Sequence, residues 1–259
     1  MNSRFLALTL LSATLFNAVA QPAPPAPGAS STPAAPAVAP KPIIQPPDIA
    51  APKLTTNGVV NAGFQKSHES FVAVAKKGDV GLLFLGDSIT AGWNGQKAIW
   101  TNAFGAYKPA NFGIGGDRTQ HVLWRIENGE LEGIKPKAAV VMIGTNNSGV
   151  DSAEGIAKGV TKIVETIRAK TPDTKILLLA VFPRGEKPNS TRDKLKEVNK
   201  IIAKLDDGKK VFFLDIGDKF LQPDGTLTKE IMHDYLHLTA KGYQIWADAI
   251  TPKLAELMK

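Results

Sequence analysis

Two stretches of uninterrupted apolar residues decide the fold: AVVMI at residues 139–143 and ILLLAVF at residues 176–182. A strand that is apolar at every position is buried on both faces, which is typical of a parallel sheet with helices on either side. Shorter apolar runs predict the other strands. The predicted strands cover residues 81–85, 109–112, 138–143, 175–181 and 211–216.

Longer amphipathic segments alternate with these strands and predict helices. They cover residues 60–77, 117–128, 152–170, 190–206 and 239–257. Alternating strands and helices predict an α/β protein, a three-layer αβα sandwich around a parallel sheet of about five strands. In such a fold the ligand site lies beyond the carboxyl ends of the strands.

The N-terminal residues are predicted to precede the folded domain. Residues 1–20 carry a positive charge near their start at Arg4, followed by an apolar run that ends in small residues. This pattern is typical of a signal peptide, and a membrane anchor is the alternative. Residues 21–56 are rich in Ala and Pro and predict a disordered spacer, which could contact an envelope or polymer surface or have no partner. We therefore expect an exported bacterial protein, periplasmic or extracellular, whose folded domain covers residues 57–259.

The composition excludes several classes of function. The chain has no cysteine, so it has no disulfide, no thiolate nucleophile and no cysteine-ligated metal. The formal net charge is +7, but the basic residues are scattered and form no patch interleaved with aromatic residues. This distribution argues against a nucleic acid partner.

The segment LFLGDSITAG, residues 83–92, places Ser88 between a predicted strand and a predicted helix. A serine at this junction lies near a helix N-terminus, where backbone N–H groups can stabilise an oxyanion. A helix N-cap is the alternative function of such a serine. The segment differs from the G-x-S-x-G elbow of α/β-hydrolases because Thr90 replaces the second glycine.

The segment HDYLHLTAKGY, residues 233–243, supplies a base for this serine. His237 can remove the serine proton through one ring nitrogen while Asp234 orients the other. One alternative is a helix-capping cluster. Another is a metal site, since His233 and His237 have i,i+4 spacing, but the glutamate of H-E-x-x-H is absent and no third ligand is evident. We expect neither a metal nor a cofactor.

Two further segments carry candidate oxyanion donors. NFGIGGDRTQHVLWRI, residues 111–126, keeps the backbone bare at Gly113, Gly115 and Gly116, and bare N–H groups suit an oxyanion. VVMIGTNNSG, residues 140–149, ends a strand near Asn146, whose side-chain amide can donate to the same oxyanion. A tight turn at the glycines and an Asx turn at Asn146 or Asn147 are the alternatives.

Taken together, these segments resemble the SGNH hydrolases, also called the GDSL esterase/lipase family. Ser88, Gly116, Asn146 and His237 match the four residues that name the family, and Asp234 completes its D-x-x-H element. Residues 60–258 are most similar to the catalytic subunits of intracellular platelet-activating-factor acetylhydrolase. The motifs that carry this similarity are residues 111–137, 140–147, 182–189 and 233–243.

The resemblance implies a flavodoxin-like fold, a triad of Ser88, His237 and Asp234, and an oxyanion hole formed by the Ser88 and Gly116 N–H groups with the Asn146 amide. Ile89 replaces the leucine that usually follows the nucleophile.

We therefore expect a serine esterase that acts on short-chain, acetyl esters of a glycan, a lipid or another small molecule. Ile89 and Leu236 adjoin the triad and are expected to narrow the substrate pocket. The alternatives are a lysophospholipase or thioesterase and a non-catalytic tethered binding domain. The sequence does not determine the oligomeric state.

Overall fold

The strands bury apolar side chains on both faces of one sheet. The computed structural model describes residues 45–259. Its strands are β1 (Leu82–Gly86), β2 (Pro109–Gly113), β3 (Ala138–Met142), β4 (Lys175–Leu179) and β5 (Val211–Leu214). All neighbouring strands are parallel, in the order β2-β1-β3-β4-β5, and every residue of β1 and β3 is buried. The predicted α/β class and parallel sheet are confirmed.

Helices cover both faces of this sheet. They are α1 (Ala62–Lys77), α2 (Ser88–Ala91), α3 (Lys97–Phe104), α4 (Thr119–Arg125), α5 (Ala153–Lys170), α6 (Ser190–Ile202) and α7 (Ala240–Leu257). Helices α1, α4, α5 and α6 share one apolar core with Leu83 and Leu85, whereas α2, α3 and α7 share the other with Leu82 and Phe84. The three-layer arrangement follows because alternate strand residues point to opposite faces. Within residues 45–259, none of the helices is both long enough and apolar enough to cross a bilayer.

The strand register brings distant loops to one edge of the sheet. Gly86 pairs with Gly113 of β2 and with Met142 of β3. Strands β1, β2 and β3 therefore end side by side, and the loops that follow them begin from the same edge, where α/β proteins bind ligands.

Two helices end earlier than predicted, and one helix was not predicted. Helix α4 ends at Arg125 because Asn128 and Gly129 leave the helical conformation, with Gly129 at φ 110°. Helix α6 ends at Ile202 and passes into a short 3₁₀ turn. Helix α3 was not predicted, since its eight residues are too few to show a clear apolar period.

Residues 45–56, which we call the N-terminal strap, pack against the domain. Pro47 is buried, and its carbonyl accepts a hydrogen bond from Thr119 Oγ1 at 2.7 Å. The Ala51 N–H donates to the Gln120 carbonyl at 3.2 Å. The folded chain therefore begins by residue 45, earlier than the boundary at residue 57 that the composition predicts. The predicted signal peptide and the rest of the predicted spacer lie outside the described residues.

These contacts predict different outcomes for two deletions. Removal of residues 21–44 is expected to leave the Tm of the folded domain unchanged. Removal of residues 21–56 takes away the hydrogen bonds that the strap makes with buried groups such as Thr119 Oγ1, at about 0.5–1.5 kcal/mol each. A total loss of about 3 kcal/mol lowers Tm by roughly 6–12 °C in a domain of this size. Calorimetry of the two truncations checks this, and equal Tm values would contradict it.

Candidate active site

Ser88 lies directly beyond the carboxyl end of β1, at the first residue of α2. Gly86 permits the sharp turn, because a Cβ there would collide with Thr90 Oγ1 and the Met142 carbonyl. Asp87 caps the helix by accepting a hydrogen bond from the Ile89 N–H at 2.9 Å. Ser88 is half-buried at this edge, so its hydroxyl is held on a rigid turn yet reachable.

His237 and Asp234 lie in the loop before α7, close to Ser88. His237 Nε2 lies 2.9 Å from Ser88 Oγ, and His237 Nδ1 lies 2.7 Å from Asp234 Oδ2. Asp234 Oδ1 accepts from the backbone N–H groups of His237 at 2.7 Å and Leu236 at 3.1 Å. The arrangement joins the three predicted side chains in one hydrogen-bonded row.

The hydrogen bonds keep Asp234 ionised. Burial alone raises the pKa of Asp234, but the hydrogen bonds from the His237 backbone and ring outweigh it and lower this pKa to about 2. An ionised carboxylate at Nδ1 leaves Nε2 as the free acceptor when the imidazole is neutral.

The candidate oxyanion donors surround the same edge. A Cβ on Gly115 would lie 3.9 Å from Ser88 Cβ, which places the glycine loop beside the serine. Within residues 45–259, no acceptor pairs with the backbone N–H of Ser88 or of Gly116. Asn146 Nδ2 donates to the Asp117 carbonyl at 2.9 Å and, over a longer distance of 3.5 Å, to Asp87 Oδ2.

The remaining candidate residues, Asn147, Ile89 and Leu236, differ in how deeply they are buried. Asn147 is buried; its Oδ1 accepts from the Thr119 N–H at 3.0 Å, so it anchors the start of α4. Ile89 is only 1% exposed and packs in the core under α2, whereas Leu236 is half-buried and packs at the margin of the same core. Of the two predicted pocket residues, Leu236 therefore has more surface to offer a substrate.

His233, Asp234 and His237 also form a group that could hold a metal ion, with ligand atoms within 4.8 Å of one another. The His237 and Asp234 atoms in this group already bind each other and Ser88. A metal would have to displace one of these hydrogen bonds, so metal binding and the Ser88–His237–Asp234 row are alternatives at this place.

Asp87 is a residue of the site that motif analysis missed. It is fully buried between Ser88 and the sheet. Burial raises the pKa of Asp87 to about 7; the Ile89 hydrogen bond opposes this shift, and Asp117 adds to it. The sequence signal was present, since an acidic residue directly follows a strand that is apolar throughout.

Comparisons with known proteins show which family this chain resembles. The model of the GDSL-like Lipase/Acylhydrolase family matches residues 84–245. Platelet-activating factor acetylhydrolase IB subunit alpha1 of Homo sapiens is 41% identical over 192 residues, which cover 74% of this chain and 82% of that protein. Subunit alpha2 of Rattus norvegicus is 44% identical over 181 residues, which cover 70% of this chain and 78% of that protein.

A solved structure has the same fold. The GDSL-like lipase from Bacteroides thetaiotaomicron superposes with a TM-score of 0.61 at 20% identity, and the match covers 74% of this chain and 97% of that one. At this identity the likeness concerns the arrangement of strands and helices, which is the one described above.

The raised pKa of Asp87 predicts a pH dependence of stability. In the folded protein Asp87 holds its proton up to about pH 7, whereas the ordinary pKa of an aspartate, which applies in the unfolded chain, is 3.8. Unfolding therefore releases a proton in this window, and the stabilisation present below pH 3.8 is lost as the pH rises through about 7. We expect the wild-type free energy of unfolding to fall relative to that of Asp87→Asn across the window.

Urea titrations at several pH values measure this difference. Asp248→Asn, which removes an exposed carboxylate of α7, controls for the loss of one negative charge. A difference between wild type and Asp87→Asn that stays constant with pH would contradict the prediction.

Proposed function

The chain belongs to the GDSL-like lipase/acylhydrolase family, and from this premise we propose that it hydrolyses short-chain carboxylic esters, acetyl esters above all, with Ser88 as nucleophile. The observation that carries the proposal is the hydrogen-bonded row from Ser88 Oγ through His237 to Asp234, with separations of 2.9 and 2.7 Å. A serine hydroxyl is a weak nucleophile until a neighbouring base takes its proton.

In the first half-reaction Ser88 Oγ forms a bond to the ester carbonyl carbon while its proton passes to His237 Nε2. The carbonyl electron pair moves to oxygen. The Ser88 and Gly116 N–H groups stabilise that charge together with the Asn146 amide, which exchanges its long hydrogen bond to Asp87 for one to the oxyanion. The tetrahedral intermediate then breaks its bond to the alcohol oxygen, which takes the proton from His237.

In the second half-reaction water attacks the acyl-enzyme. His237 takes a proton from the water and returns one to Ser88 Oγ as the carboxylic acid leaves. Asp234 stabilises the imidazolium in both halves, since the hydrogen bonds that lower its pKa to about 2 keep it ionised at neutral pH. The proposed steps use only side chains and backbone groups of this chain.

Two observations support an acetyl substrate. The curated relatives carry the name acetylhydrolase. Leu236 directly precedes the proposed base, where its side chain is expected to narrow the acyl pocket. The substrate proposed is an acetylated glycan or lipid, and residues 1–20 support export to the periplasm or the cell exterior. A non-catalytic binding domain is the weaker alternative, because binding alone does not require a serine, a histidine and a carboxylate in hydrogen-bonding order.

Ser88→Ala tests the nucleophile. The variant is expected to lose at least about 10⁴-fold in kcat on p-nitrophenyl acetate, because losing a triad serine removes the covalent route. Ser70→Ala, which changes an exposed serine of α1, should keep wild-type activity. A fluorophosphonate probe should label wild type and Ser70→Ala but leave Ser88→Ala unlabelled. Turnover retained by Ser88→Ala would refute the assignment.

Leu236→Ala tests the acyl pocket. Wild type is expected to prefer acetyl over octanoyl esters by at least about tenfold in kcat/KM, or about 1.4 kcal/mol at the transition state. A smaller residue leaves room for longer chains, so the variant should approach equal rates. Leu221→Ala, another half-buried leucine at the margin of the same core, is the matched control. Efficient octanoyl hydrolysis by wild type would instead favour a lysophospholipase or thioesterase.

A further inference from the structure

Lys53 of the N-terminal strap contacts the loop that carries Gly116, although no step of the proposed mechanism uses it. Its Nζ donates a hydrogen bond to the Gly115 carbonyl and lies 3.7 Å from Asp117 Oδ1. A Cβ on Gly116 would come within 2.9 Å of the same nitrogen. The ammonium group therefore lies directly against the Gly115–Gly116 peptide.

The strap holds Lys53 firmly in this place. The Lys53 carbonyl accepts a hydrogen bond from the Asn61 N–H at 2.8 Å, and Leu54 pairs with Val60 in an antiparallel bridge. The side chain is only 20% exposed. Both its backbone and its ammonium group are thus fixed before the substrate arrives.

The geometry of one peptide unit links Lys53 to the oxyanion site. The Gly115 carbonyl and the Gly116 N–H belong to the same planar trans peptide and point in opposite directions. A carbonyl held by Lys53 therefore directs the N–H to the other side. No residue among 45–259 accepts a hydrogen bond from that N–H, and the Cα of Gly115 faces Ser88, since a Cβ there would lie 3.9 Å from Ser88 Cβ.

A loop of glycines has no side chains to fix its backbone, so another residue must do so. Gly115 and Gly116 are exposed and have no side chains to pack, and Gly116 has φ 72°. Glycine has the widest backbone freedom of any residue, whereas an oxyanion donor accelerates a reaction only when it is oriented in advance.

We infer that Lys53 is a positioning residue, which orients the Gly115–Gly116 peptide so that the Gly116 N–H points at the oxyanion. The inference rests on the proposed function of Ser88. Lys53 itself does not contact the reacting atoms; it acts through the peptide whose carbonyl it binds.

The absence of cysteine from the sequence permits a selective chemical test. In Lys53→Cys, the thiolate displaces bromide from 2-bromoethylamine, and the new S–C bond carries an ammonium group at nearly the length of lysine. Iodoacetamide alkylates the same sulfur with a neutral group. We expect kcat on p-nitrophenyl acetate to fall roughly 10- to 100-fold in Lys53→Cys. This decrease does not exceed the one caused by removing an oxyanion donor altogether, which is roughly 100- to 1000-fold. Bromoethylamine should restore kcat, and iodoacetamide should not.

A trifluoromethyl ketone distinguishes orientation from general stability. Ser88 Oγ adds to its carbonyl carbon, the carbonyl electron pair moves to oxygen, and His237 takes the proton, so the adduct oxygen occupies the oxyanion site. Its inhibition constant should rise in parallel with the loss of kcat, while KM changes by no more than about twofold. A kcat loss with an unchanged inhibition constant would overturn the inference.

The controls separate this inference from the function on which it rests. Lys108→Cys, at an exposed ion pair with Asp79, should show wild-type kcat before and after alkylation. Wild-type kcat in unmodified Lys53→Cys, or a loss that the ammonium group does not restore, overturns the inference. If Lys53→Cys fails to fold, Lys53→Arg should keep activity and Lys53→Gln should lose it, and equal activities overturn the inference. Inactive wild type or unlabelled Ser88 would instead refute the proposed function.

Discussion

The buried guanidinium of Arg125 is the interaction on which the candidate site depends. It donates hydrogen bonds to the carbonyls of Gly86 and Phe112, at 3.3 and 3.0 Å, and to the carboxylates of Asp117 and Glu130. It therefore ties the ends of β1 and β2 to the loops that follow α4 and β2. Arg125, Asp117 and Glu130 are all fully buried, and removing one member of such a group typically costs about 3–5 kcal/mol because another charge is left uncompensated.

Asp117 connects the buried Arg125 to the glycine loop at residues 115–116. Arg125 binds its Oδ2 at 2.9 Å from the inside, and Lys53 approaches its Oδ1 from the strap. Burial raises the pKa of Asp117 to about 6, although both cations oppose the shift. The side chain of Asp117 thus anchors a loop whose glycines place no side chain beside Ser88.

Two aspartates near Ser88 behave differently because their surroundings differ. Asp234 is partly exposed but accepts hydrogen bonds from both the backbone and the ring of His237, and its pKa falls to about 2. Asp87 is fully buried and accepts one backbone hydrogen bond, and its pKa rises to about 7. Only Asp234 is therefore suited to stabilise an imidazolium, whereas Asp87 serves the turn that presents Ser88.

The sequence by itself determined the sheet class and the strands, because apolar period and turn residues report local burial and local conformation. Its motifs named Ser88, His237 and Asp234 as candidates through their chemistry and their resemblance to a family. Only the tertiary structure decided that Ser88 and His237 come within 2.9 Å across 149 residues, that the Pro-rich segment ends in a packed strap, and that Lys53 reaches Gly115 across 62 residues. Such contacts depend on strand register and on the packing of distant segments, and neither leaves a periodic pattern in the residues that make them.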